Sequence, residues 1–420
     1  MHIKLSSGNI LDSMNDENLL QAFKRQGVYL VASCGGKGIC GKCRIRISRG
    51  EYHTASQGKL HAHDIESGVV LACQTFPESD ISVDIPKESQ LVLGDVLEIS
   101  RTKDLLETFR SSGKTLSPLV KWVSLEVTPP TIDDNISDLE RLKKSLEAIG
   151  LKDMSFSHGF LSTMATELRD ARWKVHLGYI DGPEVVFLAP SASKDTYGLA
   201  VDIGTTTVVV YLVNLKDGSL VDVGSTYNSQ IRYGDDVITR IMYATEAGGL
   251  KELQDTVVTD MNNLLMPMIE RHAIAKKDIE SVVISGNTTM THLFWGLNPG
   301  FIREEPYTPT LNFFPVWKAD SVGLKIGKQV PVYTVPCVAS YVGGDIVAGV
   351  LASNMHKQSG ITLFMDIGTN GEIVIGNNEW LVTAACSAGP CFEGSGIRHG
   401  MRATEGAVES IAINPQTFTP

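Results

Sequence analysis

The 420-residue chain has no uninterrupted apolar run approaching the ~18 residues of a membrane-spanning helix. No membrane helix is expected, and no membrane partner. Cations are in deficit: 37 Lys and Arg stand against 48 Asp and Glu, for a net charge of −11. A nucleic-acid surface needs clustered basic residues, so no nucleic-acid partner is expected either. The opening stretch MHIKLSSGNILDSMNDE has no apolar core, which sets the expectation of no secretory signal. Cysteine is sparse, seven in all, yet four fall within the first 73 residues. An odd count with no export signal points to a metal site in a reducing cytoplasm rather than a disulfide framework. The remainder, 43% hydrophobic and 20% charged, is that of a multidomain globular chain.

Three of those cysteines lie in SCGGKGICGKC. Cys34, Cys40 and Cys43 are spaced C-x5-C-x2-C, and Cys73 follows after 29 further residues. A structural zinc usually takes two short paired knuckles. Three thiols in one loop and a distant fourth are nearer to the plant-type [2Fe–2S] spacing. Gly35, Gly36, Gly38 and Gly41 let such a loop wrap tightly and bring backbone N–H groups toward a cluster's sulfides. Zinc and bystander thiols are the weaker alternatives. Leu19, Leu20 and Phe23 share one face of an expected helix from Asp16 to Gln26, with Asn15 or Asp16 as N-cap and Gly27 as stop. RIRI at 44–47 and ISVDI at 81–85 alternate as half-buried strands. That order matches a β-grasp ferredoxin domain.

An internal echo follows. AVDIGTTTVVVYL at 200–212 and FMDIGTNGEIVIG at 364–376 each read as a strand, Asp-Ile-Gly-Thr, a tight turn and a second strand. Glycine at 204 and 368 admits a ligand close to the backbone. The turn residues Thr205, Thr206 and Thr207, and Thr369, Asn370 and Gly371, can cradle phosphate oxygens. Asp202 and Asp366 would face each other across a cleft and hold Mg²⁺ directly or through water. Between the two copies, VVISGNTTMTHLFWG at 282–296 reads as a buried strand with Gly286-Asn287 opening a helix, whose N-terminus favours anions. In ASYVGGDIVAG, Asp345 is a candidate water- or metal-positioning catalytic carboxylate, with a plain helix N-cap as the simpler reading.

The paired hairpins resemble the phosphate-1 and phosphate-2 elements of the actin, sugar kinase and Hsp70-like ATPases. Taken with CGGKGICGKC, LEVTPPTIDDNISDLERL, SGNTTMTHLFWGL, YVGGDIVAG and CSAGPCFEGSGIRHGMRATEGAVE, the chain resembles the ATP-dependent reductive activators of corrinoid proteins. The resemblance implies an N-terminal [2Fe–2S] domain, an ATPase domain binding ATP and Mg²⁺, an upstream electron donor and a corrinoid protein partner of a methyltransferase system. The implied activity is ATP-linked return of Co(II) to Co(I). That step runs uphill from a cluster near about −400 mV, since each ~59 mV costs tenfold in a one-electron equilibrium. A plain electron carrier with a degenerate nucleotide domain and a small-molecule kinase with a regulatory cluster are the competing functions.

The expected fold class is an α/β multidomain chain. It comprises a β-grasp ferredoxin domain at 1–86, a linker at 87–118, a small α+β middle domain at 119–195 and an actin/Hsp70-like (ASKHA) ATPase domain at 196–420. A short helix is expected near Lys103–Arg110, a strand at Val120–Val127, and an amphipathic helix at Asp138–Ile149 with Gly150 as C-cap. Lys251–His272 reads as a helix kinked or broken at Pro267, its Met261, Met266 and Met268 as core. Cys337, Cys386 and Cys391 read as buried bystanders, and His61, His63, His292 and His399 as ordinary core or surface histidines. The chain ends 54 residues after Asp366, so the adenosine-binding segment and second connecting helix of the ATPase fold are expected to be missing.

Overall fold

The computed structural model describes residues 1–14, 16–26, 28, 30, 38, 41–58, 60, 62–86, 89, 117–192, 195–234, 236–368 and 370–386. Cys34, Cys40, Thr369, Cys391, His61, His399 and the helix expected at 103–110 lie outside the described residues, as do Gly27, Gly35 and Gly36.

The first unit places β1 (His2–Leu5), β2 (Ile10–Asp12), α1 (Leu19–Arg25), β3 (Arg44–Arg49), β4 (Tyr52–Thr54), α2 (Ala62–Glu66), β5 (Val69–Leu71), β6 (Thr75–Pro77) and β7 (Ile81–Asp84). Its sheet runs β2-β1-β7-β3-β5, with β1 parallel to β7, and β4–β6 form a separate ribbon. Leu19, Ala22 and Phe23 of α1 pack against Ile3, Ile45 and Val83 of the sheet, as their helical spacing requires. The helix begins later than the sequence suggested. Asn18 Oδ1 accepts from Gln21 N–H while Gln21 Oε1 accepts from Asn18 N–H, so the reciprocal cap belongs to Asn18 rather than Asn15 or Asp16. Asp16 instead takes a left-handed φ of 60°.

The second unit is a sheet ordered β8-β10-β11-β9, from β8 (Val120–Glu126), β9 (Ser155–Phe156), β10 (Lys174–Ile180) and β11 (Glu184–Ala189). Helices α3 (Asp138–Ala148) and α4 (His158–Asp170) cover one face. Ser137 and Glu140 form a capping box at the start of α3, and Gly150 takes φ +89° just beyond its end. The other face carries Val120, Ile180, Val186 and Phe187 onto Val316 of the third unit. Ser157 Oγ donates to Gln329 Oε1 at 2.8 Å, and Lys318 pairs with Glu184 at 2.9 Å across the same seam.

The third unit has a six-stranded sheet ordered β14-β13-β12-β15-β17-β16, from β12 (Tyr197–Ile203), β13 (Thr207–Asn214), β14 (Leu220–Tyr227), β15 (Ile279–Gly286), β16 (Trp317–Lys318) and β17 (Pro331–Thr334). β12, β13 and β14 are antiparallel neighbours, whereas β12, β15 and β17 run parallel. Helices α5 (Val237–Ala244), α6 (Gly249–Arg271) and α7 (Thr288–Trp295) accompany this sheet. Val257, Met261, Leu265 and Met268 of α6 pack with Val208, Val210 and Leu212 of β13 in the largest apolar core. α6 runs through Pro267 without a break. Asn263, four residues earlier, is exposed, so water can serve the carbonyl that Pro267 leaves without its helical donor. From β17 the chain enters α8 (Gly344–Ser353) and then a second sheet, β18 (Thr362–Ile367), β19 (Gly371–Gly376) and β20 (Leu381–Cys386).

Candidate functional site

Two of the four cysteines predicted as cluster ligands are among the described residues, and the fold brings them together. Cys43 precedes β3 and Cys73 follows β5, its antiparallel neighbour, and both are buried. The Cys43 thiol beside it, the Gln74 side chain and the Gly38 N–H all act on the Cys73 sulfur, and together they pull its pKa down to about 6 against the cost of burial. Such surroundings favour a thiolate, the form that ligates metal. Gly38 and Gly41 have φ of +76° and +71°. The positive φ is what favours glycine at 38; a Cβ there would lie 2.7 Å from the Gln74 side chain, which is flexible enough to shift. The two sulfurs, with the Gly38 N–H aimed at that of Cys73, fit one side of an iron–sulfur cluster.

The first Asp-Ile-Gly-Thr hairpin joins β12 to β13. Gly204 N–H donates to Thr207 O at 2.8 Å and closes the turn. Three successive carbonyls of this turn are then held from the lobe interior. Asn228 Nδ2 donates to Gly204 O (2.8 Å), Arg240 Nη2 to Thr205 O (2.6 Å), and Asn228 N–H to Thr206 O (2.8 Å). A trans peptide points its N–H opposite to its C=O, so the amides that follow are turned away from the interior. Thr205 Oγ1 accepts from Asn287 Nδ2 at 3.0 Å. Asn287 also caps α7, accepting from Met290 N–H. Asn228, Arg240 and the hydroxyl contact of Asn287 were not foreseen in the sequence.

The second hairpin joins β18 to β19, closed by Gly368 N–H donating to Asn370 O at 2.9 Å. A Cβ on Gly368 would meet nothing nearer than 3.8 Å, so local packing does not demand glycine there. Asp366 pairs directly with Glu372 across this hairpin.

Asp202, Asp345 and Asp366 lie close enough for their charges to act on one another, and Glu372, which the sequence reading did not single out, joins them. The Asp202 carboxyl reaches solvent yet is crowded by protein; desolvation first, then the charges of Asp345 and Asp366, push its pKa to about 7. Asp345, which is partly buried, is raised to about 6 by desolvation and by Asp366. Glu372, 8% exposed, is raised to about 7 by desolvation, then by Asp345 and Asp366. Asp345 is not the helix cap: Gly343 occupies that position and Asp345 lies in the first turn of α8. Among the described residues, no three His, Cys, Asp or Glu side chains form a metal cage on their own. Magnesium rarely uses one; it keeps several waters and takes one or two carboxylates together with phosphate oxygens. The carboxylate set fits that mode.

The remaining candidates are structural. His292 is fully buried, its Nδ1 bonded to Thr288 O and its Nε2 facing Leu311 N–H. Cys337 is buried, but Cys386 is exposed at the end of the outer strand β20, where its thiol donates to Gly371 O. Among the described residues, no helix is long and apolar enough to cross a membrane.

Sequence models of four protein families match the chain in succession. The 2Fe-2S iron–sulfur cluster binding domain covers residues 3–78, the RACo linker region 111–194, the RACo middle region 197–358, and the C-terminal ASKHA domain of RACo 360–420. The corrinoid activation enzyme RamQ of Eubacterium limosum is 31% identical over 397 residues, which is 94% of this chain and 62% of RamQ. The [Co(II) methylated amine-specific corrinoid protein] reductase of Methanosarcina barkeri is 24% identical over 226 residues, covering 50% of this chain and 40% of that protein. The chain thus spans under two thirds of the length of these curated relatives. A solved structure of a reductive activator for corrinoid, iron–sulfur protein superposes with a TM-score of 0.64 at 41% identity, covering 98% of this chain and 67% of that one. With a ferredoxin-type domain, the RACo regions behind it and this overall likeness, the chain belongs to the RACo family of reductive activators of corrinoid proteins.

Proposed function

We propose that the chain reduces the cobalt of a corrinoid protein from Co(II) to Co(I), one electron per event, in a step coupled to nucleotide binding or hydrolysis. The electron comes from an upstream donor, and the corrinoid protein serves a methyltransferase system. Cys34, Cys40, Cys43 and Cys73 hold the [2Fe–2S] cluster, which supplies a one-electron store at low potential. The observation that carries this reading is that Asp345 and Asp366 lie close enough to Asp202 for their charges to act on it, in a chain that also pairs Cys43 with Cys73.

In this reading the two turns bind the phosphates of ATP. Gly204, Thr205, Thr206 and Thr207 present amides and hydroxyls from the first lobe, and Gly368, Thr369, Asn370 and Gly371 present theirs from the second. Asp202 and Asp366 hold Mg²⁺, and Asp345 positions water or the metal. The raised pKa values of Asp202, Asp345 and Glu372 mean that these carboxyls resist full ionisation together, so a cation is needed before all of them carry charge. Nucleotide can drive the uphill reduction only by favouring a state in which the cobalt is easier to reduce. The thiol chemistry suits a reducing cytoplasm.

The test mixes pre-reduced chain, a Co(II) corrinoid protein and MgATP under anaerobic conditions and follows the Co(I) absorbance band. ATP-dependent growth of that band is expected. Reduction at the same rate and extent without nucleotide would instead favour a plain electron carrier.

A further inference from the structure

Arg240 is the largest fully buried side chain among the described residues. Burying a guanidinium is costly, and an apolar side chain of that size would fill the space more cheaply. Its donors are spread over one small region. Nε donates to Gly234 O at 2.8 Å, Nη1 approaches Gln230 Oε1 at 3.3 Å, and Nη2 donates to Thr205 O at 2.6 Å. Gln230 in turn donates to Leu253 O of α6, and its neighbour Ser229 donates its N–H and hydroxyl to Asp260 of the same helix. One cation therefore ties α5, the segment after β14 and the long helix α6 to the middle peptide of the first turn.

We propose that Arg240 is the positioning residue of the phosphate-binding first turn. It acts from behind and never touches the ligand. By fixing the Thr205 carbonyl it sets the plane of the Thr205–Thr206 peptide and turns the Thr206 N–H away from the interior. By donating a charge-assisted bond to that carbonyl it polarises the peptide, which strengthens the same N–H as a donor to an anion. Asn228 orients the peptides on either side but brings no charge. The assignment rests on the nucleotide-binding reading of the turn.

The experiment measures equilibrium binding of MgATP, and of inorganic tripolyphosphate as a probe lacking the nucleoside, to the full chain. The unaltered protein is compared with Arg240→Met and Arg240→Lys, and thermal midpoints are recorded without ligand. Arg240→Met is expected to weaken both ligands about tenfold or more. Arg240→Lys keeps a charge and a donor and is expected to recover most of that loss. Recovery of affinity with Lys while its thermal midpoint stays as low as that of Met separates positioning from simple stability. Should Arg240→Met fail to fold, Arg240→Lys and the unaltered chain decide, with a loss of about threefold expected. Folded variants that bind both ligands as the unaltered chain does would overturn the assignment. So would a loss of affinity that follows the thermal midpoint across both variants. No binding of either ligand by the unaltered chain would overturn the nucleotide reading itself, and this assignment with it.

Discussion

Asp366 and Glu372 stand directly opposite each other on the β18–β19 hairpin, so two carboxylates share one face of adjacent strands. Like charges in that position repel; burial first, then the charges of Asp345 and Asp366, keep the proton on the Glu372 carboxyl up to a pH of about 7. A pair of this kind is tolerable while protonated, or while a cation lies between the charges.

The first prediction concerns that pair and its pH dependence. A carboxyl whose pKa is raised on folding contributes stability below its unfolded value, near 4.5, and loses it as pH climbs through about 7. Glu372→Gln removes the titration. The variant should match the unaltered chain near pH 5 and exceed it by about 1–2 kcal/mol near pH 7.5 without divalent cation. Paired thermal melts at the two pH values check this, and a constant difference at both would refute it.

Asp202 gives a second test, read from binding rather than stability. Mg²⁺ needs the ionised carboxylates, and without a cation beside it Asp202 is mostly ionised only above about 7. Affinity for MgATP should therefore fall several-fold between pH 7.5 and 6. Asp202→Asn should lower it by at least about tenfold at pH 7.5 and flatten the pH profile, leaving the visible absorbance of the cluster unchanged.

For the redox centre, Cys73→Ser should abolish the reducible [2Fe–2S] signal in EPR and absorbance spectra of anaerobically purified protein. MgATP binding should survive, because Cys73 packs in the core of the N-terminal unit only. A full-strength [2Fe–2S] spectrum from this variant would count against its role as a ligand.

Ser157 does two things with one hydroxyl: it caps α4 by accepting from Phe160 N–H, and it donates to Gln329 across the seam. Ser157→Ala should cost about 1 kcal/mol through the lost cap alone. Gln329→Ala leaves the cap intact and should cost less. Thermal midpoints of the two variants would show whether the seam contributes beyond the cap.

Much of this site was legible in the sequence because its signals are local. Four glycines amid three cysteines, and two copies of Asp-Ile-Gly-Thr between strands, state their chemistry within a dozen residues. Glu372 was missed, though a local signal could have found it. A three-residue loop at 368–370 sets positions 366 and 372 opposite each other, a matter of register rather than composition. Asn228 and Arg240 left no such trace. Their partners are the carbonyls of Gly204 and Thr205, 24 and 35 residues away, and a backbone carbonyl has no sequence signature. Pro267, expected to kink or break its helix, does not break it, for a related reason: a proline weakens a helix by what it leaves unbonded, and that depends on whether position 263 meets water.

Gly343 lies against the backbone at the head of α7; a Cβ there would fall 2.3 Å from the Asn287 Cα and 2.5 Å from the Gly286 carbonyl oxygen. The two peptides mesh like gear teeth, with no side chain between them to absorb play. Gly343 starts the helix that leads toward the second hairpin, and Asn287 grips the threonine hydroxyl of the first. Any side chain at 343 would therefore have to push against the head of α7, where Asn287 holds the Thr205 hydroxyl.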